Sequence, residues 1–186
     1  MKKRKKRRKG DFMGEKYYIV DLSNKEFKGD ILDITYEGST VIIKNLEDVL
    51  EKDFLCVKTL PLDLGKFDTV LFFLSINKYK KRLIKDILKR LKSNLKNGAT
   101  LMIWDLNYRR IKPFDNVRIK IVKKDNKVET LNEIFKFNPF SLSCGDVENI
   151  LTKEGYNVTK IDDDNLMFYI EAKYTEDENE GSVSKS

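Results

Sequence analysis

The stretch Phe67-Asp68-Thr69-Val70-Leu71-Phe72-Phe73-Leu74, with the segment Tyr79–Lys96 and the run Ala99-Thr100-Leu101-Met102-Ile103-Trp104 that follow it, decides the fold. The first run is nearly continuous in apolar residues, as a strand covered on both faces of a sheet must be. In the middle segment Leu83, Ile84, Ile87, Leu88, Leu91 and Leu95 recur at helical spacing and share one face. Gly98 stands just past the last of them and predicts the helix stop. The third run predicts a second buried strand ending at Asp105. Two such strands joined by an amphipathic crossover helix form a βαβ unit, right-handed, with the strands parallel. The ends Ser75-Ile76-Asn77 and Asp105-Leu106-Asn107 then lie on one edge of the sheet, the edge where open α/β sheets take ligands.

A chain of 186 residues is long enough for one domain with a real core, and 36% charged residues predict a heavily charged surface. No apolar run reaches the length of a membrane span. Cys56 and Cys144 form no CxxC pair, which predicts a reducing, cytoplasmic setting. There is no histidine, so the commonest metal ligand and the commonest general base are missing. No P-loop, dinucleotide GxGxxG or zinc spacing occurs, and no metal site is expected. The Lys-, Ile- and Asn-rich usage suits an AT-biased bacterial genome.

The formal charge of +7 is concentrated in residues 2–9, eight consecutive Lys or Arg; without them 29 basic residues face 30 acidic ones. Three regions are expected: a basic disordered tail over 1–12, a folded domain over 13–174 and an acidic flexible tail over 175–186. The tail reads as a solvated segment, with Met13-Gly14 as an alternative start, or as an arm giving weak contact with nucleic acid or an anionic surface through residues 2–9.

The order "FDTVLFFLSI", helix, Leu95-Lys96-Asn97-Gly98, apolar strand resembles the second half of class I S-adenosylmethionine-dependent methyltransferases. The C-terminal order of helix, "EGYNV", strand, hairpin and "YIEAK" resembles that family too, and Ile31-Leu32-Asp33-Ile34 is similar to its "VLDIG" start. The resemblance implies an α/β fold: a three-layer Rossmann-like sheet, mostly parallel, with an antiparallel C-terminal strand and a shortened first half. It implies S-adenosylmethionine as cofactor, an unidentified methyl acceptor, and Asp33, Thr35, Gly38, Asp63 and Ser75 as cofactor-binding positions, with no catalytic residue assigned. The chain departs from the pattern where Thr35-Tyr36-Glu37-Gly38-Ser39 replaces a glycine-rich loop. It departs again where Lys58-Thr59 ends the second strand in place of an acid, and where the usual third strand is missing or very short. A glycine there allows a sharp turn and close approach to the cofactor; threonine would be penalised if the position needs a positive φ. Asp33 also has a plainer reading, a strand-end carboxylate capping local amides. The absence of histidine is compatible with methyl transfer, since the cofactor carries the reactive group and the protein positions the acceptor. The alternative is a non-catalytic module of the same fold, with its basic tail touching RNA.

The remaining features weigh differently. Ser143-Cys144-Gly145-Asp146 predicts a capping box, and Cys144 at a helix start predicts a lowered thiol pKa. Val117–Val122 alternates as a half-exposed strand, Val128–Phe137 returns from it, and both are expected to cover the strand ends. The lysines and arginines of the long helix read as its solvated outer face. Asp162-Asp163-Asp164 reads as a hairpin turn. Trp104 reads as pocket wall or core, and Asn77, at the open strand end, is expected to tolerate alanine.

Overall fold

A computed structural model describes residues 16–35, 54–57, 64–110, 116–134, 138–164 and 166–176. Nine strands and two α-helices fall within these residues: β1 (Lys16–Asp21), β2 (Ile31–Ile34), β3 (Phe54–Val57), β4 (Phe67–Phe73), α1 (Lys81–Leu91), β5 (Leu95–Leu106), β6 (Asn116–Val122), β7 (Val128–Ile134), α2 (Cys144–Lys153), β8 (Asn157–Asp163) and β9 (Met167–Lys173). Six strands form one mixed sheet in the order β3-β2-β4-β5-β9-β8. β3, β2, β4 and β5 run parallel, while β9 is antiparallel to β5 and β8 to β9. The βαβ unit read from the sequence is therefore the centre of the sheet. Val70, Leu71 and Phe72 of β4 are fully buried, each worth roughly 1.5–3 kcal/mol of apolar transfer.

Strand alternation sends the two sides of β2, β4, β5 and β9 into two different cores. Leu32, Ile34, Val70, Phe72, Leu101, Ile103 and Ile170 meet Ile84, Ile87, Leu88 and Leu91 of α1 and Val147, Ile150 and Leu151 of α2. Ile31, Leu71, Phe73, Met102, Trp104 and Tyr169 meet Tyr18 and Val20 of β1 and Val117, Ile119 and Ile121 of β6. The second cover is a three-stranded sheet, β1-β6-β7, in which β1 and β6 are parallel and β6 and β7 antiparallel. It forms because β6 alternates apolar and basic residues, so only one of its faces can be buried. The segment read as a cover over the strand ends is thus a layer lying on the sheet's face. Among the described residues no helix is long and apolar enough to cross a membrane.

Three local expectations change. The helix expected over Tyr79–Lys96 is the shorter α1, ending at Leu91, with a 3-10 turn at Lys92–Asn94. Gly98 is not its stop: it lies inside β5 at φ +81°, where the register slips between the pairs Phe67–Leu95 and Thr69–Thr100. Its left-handed backbone lets the extra residues bulge while its N–H still donates to the Tyr174 carbonyl at 2.9 Å. Leu83, expected inside, is 43% exposed, because it borders the stripe that Ile84, Ile87, Leu88 and Leu91 already fill. The capping box forms as read: the Asp146 N–H donates to Ser143 Oγ at 3.2 Å and the Ser143 N–H to Asp146 Oδ2 at 3.0 Å.

Candidate functional site at the strand ends

β4 ends abruptly. Leu74 takes φ +50°, a left-handed conformation costly for a branched side chain, and its N–H donates to the Trp104 carbonyl at 2.8 Å. The chain then leaves the sheet through Ser75 and a 3-10 turn at Ile76–Lys78. Ser75 Oγ donates to the Ile34 carbonyl at 2.7 Å, and Tyr79 Oη donates to the Thr35 carbonyl at 3.1 Å. These two bonds tie the ends of β2 and β4 together, and so bring Ser75, Thr35 and Asp33 into one neighbourhood. Gly38 and Asp63 lie outside the described residues, as do residues 2–9 and Lys58-Thr59.

Asp33 is buried at 1% exposure, and neither carboxylate oxygen has a hydrogen-bond partner. The local capping role is therefore not what the described residues give it. Burial without compensation pushes its carboxyl up to about 7. Thr35 is buried and takes no positive φ. Threonine is accommodated there without the backbone strain that the comparison with a glycine loop had suggested; the left-handed residue of this region is Leu74.

On the neighbouring strand, Asp105 is fully buried. Its Oδ2 accepts from the Asn77 N–H at 2.9 Å and its Oδ1 from the Leu106 N–H at 2.6 Å. Burial raises it to about 6, against the pull of those two N–H groups and the Lys78 charge. Asn77 is 4% exposed and works as a clamp. Its Nδ2 donates to the carbonyls of Leu106 and Leu142, both at 3.2 Å, and its Oδ1 accepts from the Leu142 N–H at 2.6 Å. The expectation that Asn77 tolerates alanine at the open strand end is overturned, because these bonds join the ends of β4 and β5 to the lead-in of α2. Asn77, Tyr79 and Asp105 are the members that sequence reasoning did not assign. For Asp105 the signal was present in its place directly after the apolar run Leu101–Trp104; Asn77 and Tyr79 carried none.

Two cavities flank this end of the sheet. One, of about 520 Å³, is lined by Asn77, Lys78, Tyr79, Lys80, Lys81, Asn138 and Phe140. The other, of about 210 Å³, lies between β1 and the β8–β9 hairpin, with Trp104, Lys160 and Asp162 in its wall. There the Lys25 ammonium sits 3.8 Å from the Tyr169 ring centroid, so this cavity already holds its own cation. Trp104 is both core and pocket wall. Cys144 is buried, and burial raises its thiol to about 11, so the lowered pKa expected at the helix start is corrected. Asp164 Oδ1 closes the hairpin turn by accepting from the Met167 N–H at 2.8 Å.

Comparison with known proteins adds the fold's relatives. No family model matches the chain, and no curated protein matches it. Among solved structures, it resembles an S-adenosylmethionine-dependent methyltransferase from Clostridium acetobutylicum, with TM-score 0.51 and 13% identity over 87% of this chain and 85% of that one. A second, from Mesorhizobium loti, gives TM-score 0.50 and 8% identity over 78% and 90%. A third, PigF with SAH, gives TM-score 0.51 and 10% identity over 82% and 53%. The chain has the α/β fold of these methyltransferases.

Proposed function

We propose that the protein is a methyltransferase that binds S-adenosylmethionine where β2 and β4 end, with Asp33, Thr35 and Ser75 at the site and Gly38 and Asp63 in the flanking segments. The observation that carries the reading is Asp33. A buried carboxylate with no partner, at the end of the first strand of this fold, is costly unless a donor or a cation reaches it. S-adenosylmethionine offers an ammonium, ribose hydroxyls and a sulfonium, so the donor set fits. The hydroxyls of Ser75 and Tyr79 are already committed to the carbonyls of Ile34 and Thr35. They shape the backbone that the cofactor would pass. The bound cofactor would supply an activated methyl group; the chain's part is to hold cofactor and acceptor in line. Asn77 and Asp105 keep the neighbouring strand ends rigid for that task.

Calorimetric titration with S-adenosylhomocysteine tests this. The parent should bind and Asp33→Ala should not. Affinity should rise between pH 6 and pH 8, because a raised Asp33 must ionise to meet a cationic group. Thr35→Gly should lower stability without tightening binding, since no strain is present to relieve. A parent that binds nothing at millimolar ligand would sink the proposal and leave a non-catalytic module of this fold.

A further inference from the structure

We propose that the 520 Å³ cavity takes a nucleotide of single-stranded nucleic acid, its base against Phe140 and its phosphates at Lys80 and Lys81. As an acceptor assignment this rests on the methyltransferase reading; as a binding site it does not.

The cavity is of the size that holds small ligands. Among the seven described lining residues three are lysines and none is acidic, which favours an anion. Two described acids adjoin the cavity: Asp105, whose Oδ2 accepts from the Asn77 N–H at 2.9 Å and feels the Lys78 charge, and Asp146, 4.0 Å from Lys81 and already held by Arg109 at 3.0 Å. Helix α1 begins with Lys81-Arg82, and its first turn has no acid. That is the wrong sign for the positive end of a helix, and it is put right when an anion sits beside the lysines.

The ring is the second, independent feature. Phe140 is 85% exposed, the most exposed of the large apolar residues described. It is not on a loose strand of chain. Its N–H donates to Asn138 Oδ1 at 3.1 Å, the Ser141 N–H donates to the Asn138 carbonyl at 3.2 Å, and Asn138 Nδ2 donates to the Asn77 carbonyl at 3.2 Å. An exposed aromatic ring on an anchored backbone at the rim of a basic cavity is what stacks an unpaired base, while a duplex would offer it none. The cavity also adjoins the proposed cofactor end, since Tyr79 in its wall bonds the Thr35 carbonyl.

The test is fluorescence anisotropy of the full chain with a short fluorescein-labelled oligouridine, over a salt series. Phe140→Ala should weaken binding about tenfold, and Phe140→Trp should restore it. Lys80→Glu combined with Lys81→Glu should lower the slope of log affinity against log salt by about 1.5. Both variants should bind S-adenosylhomocysteine as the parent does. The oligouridine pattern in a parent that binds no S-adenosylhomocysteine would uphold this site and sink only the cofactor reading. If both variants bind oligouridine like the parent, residues 2–9 account for the affinity and the site is refuted.

Discussion

The two ends of strands β2, β4 and β5 treat their carboxylates in opposite ways. At the N-terminal end, Asp30 and Asp68 share the Lys96 ammonium at 2.8 and 2.6 Å, and the Asp30 N–H donates to Asp68 Oδ2 at 2.9 Å. Gly29 lies at φ +55° against this cluster, where any Cβ would overlap the Asp68 carboxyl. Burial pushes Asp68 up, but its bonds from Lys96 and Asp30 and the Lys96 charge together hold it below the usual carboxylate range. At the C-terminal end, Asp33 has no partner, Asp105 has two N–H groups and the pull of the Lys78 charge, and both carboxyls are raised. Four of the five unpartnered buried side-chain atoms among the described residues, on Asp33, Asn107 and Ser141, lie at this end. One end has closed its electrostatics within the chain, and the other leaves polar groups for something outside it. That is where a binding site belongs in an open α/β sheet.

The contrast can be broken, beginning with the largest effect. Leu71→Asp places a carboxylate between the two ends, in a strand covered on both faces. It should cost on the order of 5 kcal/mol and unfold the domain in a melting assay. A folded Leu71→Asp protein would mean that β4 is not central. Asn77→Ala removes the clamp and strands the Leu142 N–H, at a cost of roughly 2–4 kcal/mol by urea titration.

Asp33→Asn probes the raised carboxyl. With a folded pKa of about 7 against an ordinary 3.8, the native state holds more protons than the unfolded state between those values. Stability should therefore fall as pH rises from about 4 to about 7 and level off above. The asparagine variant should lack that slope and exceed the parent at pH 8 by roughly 1–3 kcal/mol. A parent whose urea midpoint does not change across this window would contradict an unpaired Asp33. The smallest effect belongs to the closed end. Lys96→Met exposes the opposite sign: a depressed Asp68 stabilises above its ordinary pKa, and that contribution is lost as pH falls. The variant should show less of this acid-side loss, and the difference from the parent should shrink in high salt, because both partners are about a third exposed or more.

What the sequence by itself determined is the βαβ unit of β4, α1 and β5, the capping box of α2 and the β8–β9 hairpin. These depend on local periodicity and on contacts between neighbours in the chain, so the residues carry them openly. The common edge of Ser75, Asn77 and Asp105 followed from the same unit, because a right-handed crossover leaves no other arrangement. What only the tertiary structure decided depends on partners distant in sequence. Gly98 reads as a helix stop until β5 is seen to pair with β4 across a register slip that makes it a bulge. Val117–Val122 reads as a half-exposed strand, but its partner, β1, lies about a hundred residues earlier. Asn77 reads as a dispensable residue at an open strand end until Leu142 is seen to bond it. Whether Asp33 is a satisfied cap or an unpaired buried acid depends on every group packed around it, and no spacing of residues records that. Periodicity specifies which face a side chain takes; the three-dimensional packing alone specifies whether its polar atoms find a partner there.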